Sequence, residues 1–509
     1  NTAAERGGAM FRGSATNCVF GFNSFDDANE TTVKFSCLAS TYPGESNIVG
    51  VPLFVNPAAG DFRLRSISPG VDAGTSRGSP QMDYLKRARP QGKGVDMGAY
   101  ECVATDDADV VLPPSVVYVG CKSTAVSPDG LSWEAAFPTL QAGADAAAYG
   151  GGEVWVKAGT YTASSGEEVV GLRPATVMCG GFNGTESERS QRDWQDNPTI
   201  IDGGGQRRCA MVNESSEIDG FTLRNANTSC GGGVYSGKVT NCILTENTAN
   251  QSGGGMYQCI AMNCTITNNV AYSYGGGMCR GEATNCVFTQ NTAQWGGGMY
   301  AGTVTNCVLS KNEATDAGGG IYDGTAMNCT LVSNKAHSGI GGIWHGTVTN
   351  CIFWDNGNDV TGWTTASFSC FGKAILGEGN IVGVPRFINP AERDFRLRST
   401  SPGVNSGTLA GAPGTDLLGH VRPQEGGVDM GAYEHMAADD ADIPPPSIVY
   451  VASDSPSSSP DGCSWDTAFS TLQAAAAVST YVKEIWVKAG IYSAVSLSDG
   501  VFIYGGFVG

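Results

Sequence analysis

The sequence is poor in charge, poor in histidine and free of long apolar runs. Only 16% of its 509 residues are charged, and acids outnumber bases 49 to 30, for a formal net charge of -19. That balance argues against a nucleic-acid partner, which calls for a basic stripe. It suits a chain that stays soluble outside a cell and meets cations. No stretch is long and apolar enough to span a bilayer. No CxxC or Cys/His cluster spells a zinc site. Glycine is abundant, at 72 residues, but without the period of three and the proline that a collagen needs. No secretory leader is visible. The opening "GGAMFRGSATNCVF" matches "GGIWHGTVTNCIFW" near residue 350, so the first residue reads as a point inside a longer repeat.

What the chain does have is repetition on two scales. "NIVGVP" recurs from 47 to 380, "DFRLRS" from 61 to 394 and "VDMGAYE" from 95 to 428, each at an offset of 333. "EVWVKAGTY" at 153 is answered by "EIWVKAGIY" at 484. The expected organisation is the end of one unit (1–112), one complete unit (113–445) and the start of a third (446–509).

Inside the unit runs a shorter period. Asn-Cys pairs end at Cys242, Cys264, Cys286, Cys307, Cys329 and Cys351, and five residues after each comes Asn247, Asn269, Asn291, Asn312, Asn334 or Asn356. Glycine clusters precede each pair, and Leu, Ile or Phe stands two residues after each Cys. This alternation reads as a strand that points Cys and its large neighbour to one side. A repeat of about 22 residues with no helix buries that side only by stacking on copies of itself. The predicted fold is all-β, a right-handed parallel β-solenoid with a rise of ~4.8 Å per coil. Coils occupy about 153–390. The Asn column is expected at left-handed turn corners, with its amides stacked in a ladder.

The six cysteines of the column read as buried thiols filling the interior, with disulfides between coils as the rival. Cys259 and Cys279 are the better-placed disulfide pair. A segment from 132 to 150 is expected to hold a helix that covers the open solenoid edge, with Thr139 as N-cap and Leu140, Ala144 and Ala147 inward. The joints "TDDADVVLPPS" and "ADDADIPPPS" (436–446 in the second case) carry Asp106, Asp107, Asp109, Asp439, Asp440 and Asp442. These are candidate Ca²⁺ ligands between units, against the reading of a solvated acidic linker.

With these segments in place the chain resembles bacterial secreted or surface right-handed parallel β-helix proteins. Its "GGG-[VMI]-Y…NC-x-[LIF]…N" coils are similar to the repeats of polymorphic outer membrane proteins. The endings "SPGVDAGT…RARPQGKGVDMGAYE" and "SPGVNSGT…HVRPQEGGVDMGAYE" resemble the choice-of-anchor Q domain, here about 385–435 in the complete unit. The resemblance implies an extracellular or cell-surface protein and carries no catalytic residues across.

A sugar lyase or hydrolase on this fold would need convergent carboxylates, often with a metal. The coil acids Glu246, Glu282, Glu313, Asp316, Asp323 and Asp355 do not recur in one column from coil to neighbouring coil, and His337 and His345 have no Ser or Asp motif beside them. The expectation is therefore no enzyme and no cofactor apart from the candidate Ca²⁺. The variable segments "TANQS", "VAYSY", "TAQW" and "EATDA" read as loops along one edge. There Tyr272, Tyr274 and Trp295 are a candidate glycan platform, against ordinary turn packing. The Thr/Val-rich outward face around Thr265 and Val308 reads as packing surface. The functional expectation is a structural fibre or stalk whose partner is itself, end to end, with surface glycans as the second candidate partner.

Overall fold

The computed structural model describes residues 10–20, 28–38, 43–49, 52–56, 61–103, 106, 116–147, 152–361, 363–424, 426–439, 448–455, 460, 462, 464–477, 484–497 and 501–508. The chain divides into two compact bodies, residues 1–201 with 210–221 and residues 202–209 with 222–509. The joints expected near 112 and 445 fall outside the described residues.

The second body is a parallel β-solenoid of three sheets. The first holds Lys238–Thr240, Met256–Met262, Met278–Thr284, Met299–Thr305, Gly324–Met327, Gly346–Thr349 and Thr364–Ser367 in parallel order. The second holds Thr222–Arg224, Ile243–Thr245, Thr265–Thr267, Val287–Thr289, Val308–Ser310, Thr330–Val332 and Ile352–Trp354. The third holds Asn227–Cys230, Thr248–Ser252, Val270–Ala271, Thr292–Trp295, Glu313–Ala317 and Lys335–Ala336. Register is strict, so like residues stack: Leu244 pairs with Ile266, Ile266 with Phe288, Phe288 with Leu309 and Leu309 with Leu331. These side chains and the Cys column are fully buried.

Two details differ from the sequence reading. The apparent single strand through each Asn-Cys pair is really two, one in each of the first two sheets. The Asn of the pair makes the corner between them, with φ near +50° at Asn241, Asn263, Asn285, Asn306, Asn328 and Asn350. Asparagine tolerates this left-handed region because its short amide bonds locally. The later Asn of each coil is not left-handed; the residue before it is, as at Glu246, Asn268, Gln290, Lys311, Ser333 and Asp355. Second, "TANQS", "TAQW" and "EATDA" are strands of the third sheet, not loops. Their polar outward residues masked a strand whose inward side is Ala249, Ala293 and Ala314.

The glycine runs are a packing requirement. A Cβ on Gly254 would sit 2.5 Å from the carbonyl oxygens of both Gly276 and Val270, so neighbouring coils approach there only without a side chain.

Residues 385–435 fold back as a clasp over the outer face of the second sheet. Phe387, Phe395, Leu397, Met430 and Ala432 bury one cluster with Val308, Val332 and Ile352. Asn350 exchanges two hydrogen bonds with Thr408, donating to its carbonyl at 2.7 Å and accepting from its amide at 2.8 Å. The amide of Ala432 donates to the Thr330 hydroxyl at 3.0 Å. The Thr/Val face is thus packing surface where the clasp lies, and Ile243, beyond it, remains 36% exposed.

In the first body, parallel strands Val116–Val119, Glu153–Lys157, Val177–Phe182 and Glu217–Asp219 form a sheet. The helix there is shorter than 132–150: it spans Leu140–Ala147 and follows turns. Thr139 caps it, its hydroxyl accepting from the Ala142 amide at 3.3 Å. The helix lies close on the sheet, since a Cβ on Gly143 would stand 2.3 Å from a methyl of Val119. The first body also carries a clasp, in which Asn17 exchanges bonds of 2.6 and 2.7 Å with Thr75.

Candidate functional site

Three longitudinal features of the second body concentrate its chemistry. The first is the Asn ladder. Asn312 donates from Nδ2 to Asn334 Oδ1 at 2.9 Å and to the Phe288 carbonyl at 3.0 Å. Its Oδ1 accepts from the Asn291 amide at 3.1 Å and from Asn291 Nδ2 at 2.9 Å. The same four bonds recur at Asn269, Asn291 and Asn334. Asn247 and Asn356 end the described ladder, with the Ala226 amide and Asp359 taking the terminal places. A buried amide with all its bonds made is a strong specifier of register.

The second feature is the Cys column. Cys264, Cys286, Cys307, Cys329 and Cys351 are free and buried, as are Cys259 and Cys279. The Sγ atoms of Cys264, Cys307, Cys329 and Cys351 lie within 3.4 Å of backbone carbonyls. Burial pushes the thiols of Cys264, Cys307 and Cys351 well above their ordinary value. Cys259 does not bridge to Cys279. It registers with Gly281, and Cys279 with Tyr257, across the left-handed corner at Gln258. Burial raises the Cys259 thiol to about 12 and that of Cys279 to about 11.

The third is an aromatic column that the sequence reading missed. The residue following GGG-x on successive coils is Tyr235, Tyr257, Cys279, Tyr300, Tyr322 and, after the related GGI, Trp344. Tyr235 stacks on Tyr257 at 5.2 Å, Tyr300 on Tyr322 at 5.4 Å and Tyr322 on Trp344 at 6.3 Å between centroids. Where Cys279 interrupts the column, Tyr274 reaches across to Tyr300 at 4.6 Å. Tyr274 also stacks on Trp295 at 5.2 Å. Two of the three proposed platform residues therefore come together, with faces turned to each other. Tyr272 stays 65% exposed. The visible signal was the fixed aromatic position after the glycines, which alternation alone does not flag.

A further buried network was also missed. In the second body Arg422 pairs with Glu434 at 2.8 Å, both side chains fully buried. Arg422 also donates to the Asp429 and Gly431 carbonyls, while Glu434 accepts from the amides of Gln424 and Asp429. In the first body Arg89, Glu101, Asp96 and Gly98 repeat the pattern. Each member stands 333 positions from its counterpart. Burial raises the carboxyls of Asp429 and Glu434.

Of the candidate Ca²⁺ ligands, Asp107, Asp109, Asp440 and Asp442 lie outside the described residues. Asp106 and Asp439 are not solvated ends of an acidic linker. Asp106 accepts from Arg63 at 2.6 Å, from Arg87 at 2.7 Å and from the Val103 amide at 3.1 Å. Asp439 accepts from Arg396 and from the Met436 amide. Arginine bonds both oxygens of Asp106, and an arginine and a backbone amide share those of Asp439.

A cleft of about 780 Å³ in the first body is lined by Asn17, Val19, Met82, Tyr84 and Arg89 among others. At the equivalent clasp of the second body, Thr330 and Asn328 bond to Ala432 and to the Asp429 carbonyl.

Residues 201–366 match the family model described as periplasmic copper-binding protein (NosD). Among solved structures, the crystal structure of pectate lyase Pel9A is similar over 63% of this chain and 96% of that one, at 13% identity and a TM-score of 0.40. A likeness at that level carries no functional argument. A search of curated proteins finds no match. The chain is a parallel β-solenoid.

The copper in the family's description was tested against the residues present. Among the described residues no group of three or more His, Cys, Asp or Glu side chains could hold a metal ion. Within the matched span His337 is taken by Glu313 at 2.6 Å and His345 by Asp323 at 2.8 Å. The column thiols sit against carbonyls in a closed interior. The described residues do not fit a resident copper ion. No described helix is long and apolar enough to cross a membrane.

Proposed function

We propose that this chain is a non-catalytic structural protein of the cell surface or periplasm, in which solenoid units serve as stiff segments of a stalk or fibre and associate end to end with copies of themselves. The observation that carries this reading is the Asn ladder: its amides spend every hydrogen bond along the coil axis. Such bonding stiffens a solenoid and presents no buried group to a substrate. The acids of the coils support the same reading. Asp323 and Glu313 are engaged by histidines, Asp316 by Gln294 and Asp355 by Ser333, in different columns. The matched family's periplasmic description supports the location.

The test combines two assays on the full chain. Incubation with neutral, amino and uronate polysaccharides should release neither new reducing ends nor unsaturated sugars. Electron microscopy across a concentration series should show end-to-end filaments. Turnover of any of these polymers, or particles that never align, would overturn the proposal.

A further inference from the structure

The aromatic column ends at an indole that the stack does not consume. Trp363 is 71% exposed and meets Trp344 edge to face, at 6.1 Å and 79°. Between adjacent coils the column's rings lie closer to parallel, at 24° for Tyr235 and Tyr257, 9° for Tyr300 and Tyr322 and 5° for Tyr322 and Trp344. The perpendicular contact breaks that pattern and leaves an indole surface uncovered. A large exposed aromatic beside a half-buried one presents a flat apolar surface with a polar indole N–H at its edge. The residues that follow the column on these coils, Asp323 and His345, are exposed and joined at 2.8 Å. A flat apolar surface close to fixed polar groups is the combination that recognises a sugar ring, whose C–H face stacks while its hydroxyls bond at the rim.

We propose that Trp363, Trp344 and Tyr322, with Asp323 and His345 at their side, form a binding platform for a neutral or amino-substituted polysaccharide. Charge selects within the sugars. Asp323, and Glu313 and Asp316 on the third sheet, are acids of a chain whose net charge is -19. Lys335 pairs in register with Glu313 and offsets part of this. A polyuronate is repelled by such a surface, whereas an uncharged or amine-bearing glycan is not. The platform does not depend on units joining end to end, so the two proposals fail separately.

The experiment is calorimetric titration of the full chain with chitosan hexamer, cellohexaose and oligogalacturonate, alongside Trp363→Ala, Trp363→Tyr and Tyr272→Ala. Circular dichroism verifies folding of each variant. The expected result is binding of a neutral or amino hexamer, weakened at least tenfold by Trp363→Ala, kept within threefold by Trp363→Tyr and unchanged by Tyr272→Ala. Absence of binding by both the neutral and the amino hexamer overturns the proposal. So does binding that Trp363→Ala leaves unchanged, that Tyr272→Ala weakens equally, or that is tighter for oligogalacturonate.

Discussion

Replacing Asn312 by alanine should damage this fold far more than replacing an exposed corner asparagine. Asn312 Oδ1 accepts from both the amide and Nδ2 of Asn291, and its own Nδ2 serves Phe288 and Asn334. Alanine strands the Asn291 amide and one Asn291 Nδ2 hydrogen, while the Phe288 carbonyl keeps its place in the parallel ladder with Ser310. Asn334 Oδ1 keeps the residue-312 amide as a donor. Asn312 is fully buried, so water does not repair the loss. An unmade buried bond costs about 1–3 kcal/mol, which places the change for two such donors at roughly 2–6 kcal/mol. That is a large share of the ~5–15 kcal/mol that holds a typical domain together. The comparison is Asn263→Gly, which keeps the left-handed corner open and removes only an exposed 3.3 Å bond to Asn241; it should cost under ~1 kcal/mol. Solenoids unfold locally, so the assay is hydrogen exchange by mass spectrometry, peptide by peptide, with urea melts as a second readout. Asn312→Ala should raise exchange in peptides spanning 286–312 and 313–334, while Asn263→Gly leaves its own coil protected. Equal protection in both variants would refute the reasoning.

Three further outcomes follow from the geometry. Iodoacetamide should label Cys121 and Cys230 in the folded chain but reach Cys264, Cys307 and Cys351 only in denaturant, because those thiols are buried and held protonated; rapid native labelling of Cys307 would contradict the closed interior. Gly254→Ala should lower the melting temperature by several degrees through its collision with two carbonyl oxygens, as read by differential scanning fluorimetry. In the first body, the bonds from Arg63 hold Asp61 below its ordinary 3.8, and Arg87 does the same for Asp106 against the opposing effect of burial. A lowered carboxyl contributes stability above its unfolded pKa and loses it as pH falls through the folded one. First-body protection should therefore drop below about pH 4, and Asp106→Asn should flatten that drop. The carboxyls that burial raises, Asp96 and Glu101 in the first clasp and Asp429 and Glu434 in the second, work in the opposite sense and oppose that loss in both.

Much of the fold was legible because it is written in columns. Recurrence of Cys and of Leu, Ile or Phe at fixed offsets set the stacking, and the later Asn announced its ladder. What was hidden depends on the path of the backbone. Nothing in "TNCVL" says that the chain turns at Asn306, since asparagine is compatible with strand and left-handed corner alike. The third sheet hid behind polar residues because its inward contribution is mostly alanine. The clasp network was unreadable for another reason. Arg422, Glu434 and Asp429 look like loop charges until residues 385–435 fold onto Thr330 and Asn350. The aromatic stripe was present in the repeat, one residue after the apolar position, but its stacking required knowing that successive coils lie in exact register.

The most direct test of the central claim, that the coils form a continuous ladder-bonded solenoid, is the axial spacing of the native protein. Cryo-electron microscopy with power spectra taken along the long axis should give a reflection near ~4.8 Å, the inter-strand spacing of stacked parallel coils. Absence of that axial reflection from aligned particles that resolve such spacings would contradict the account.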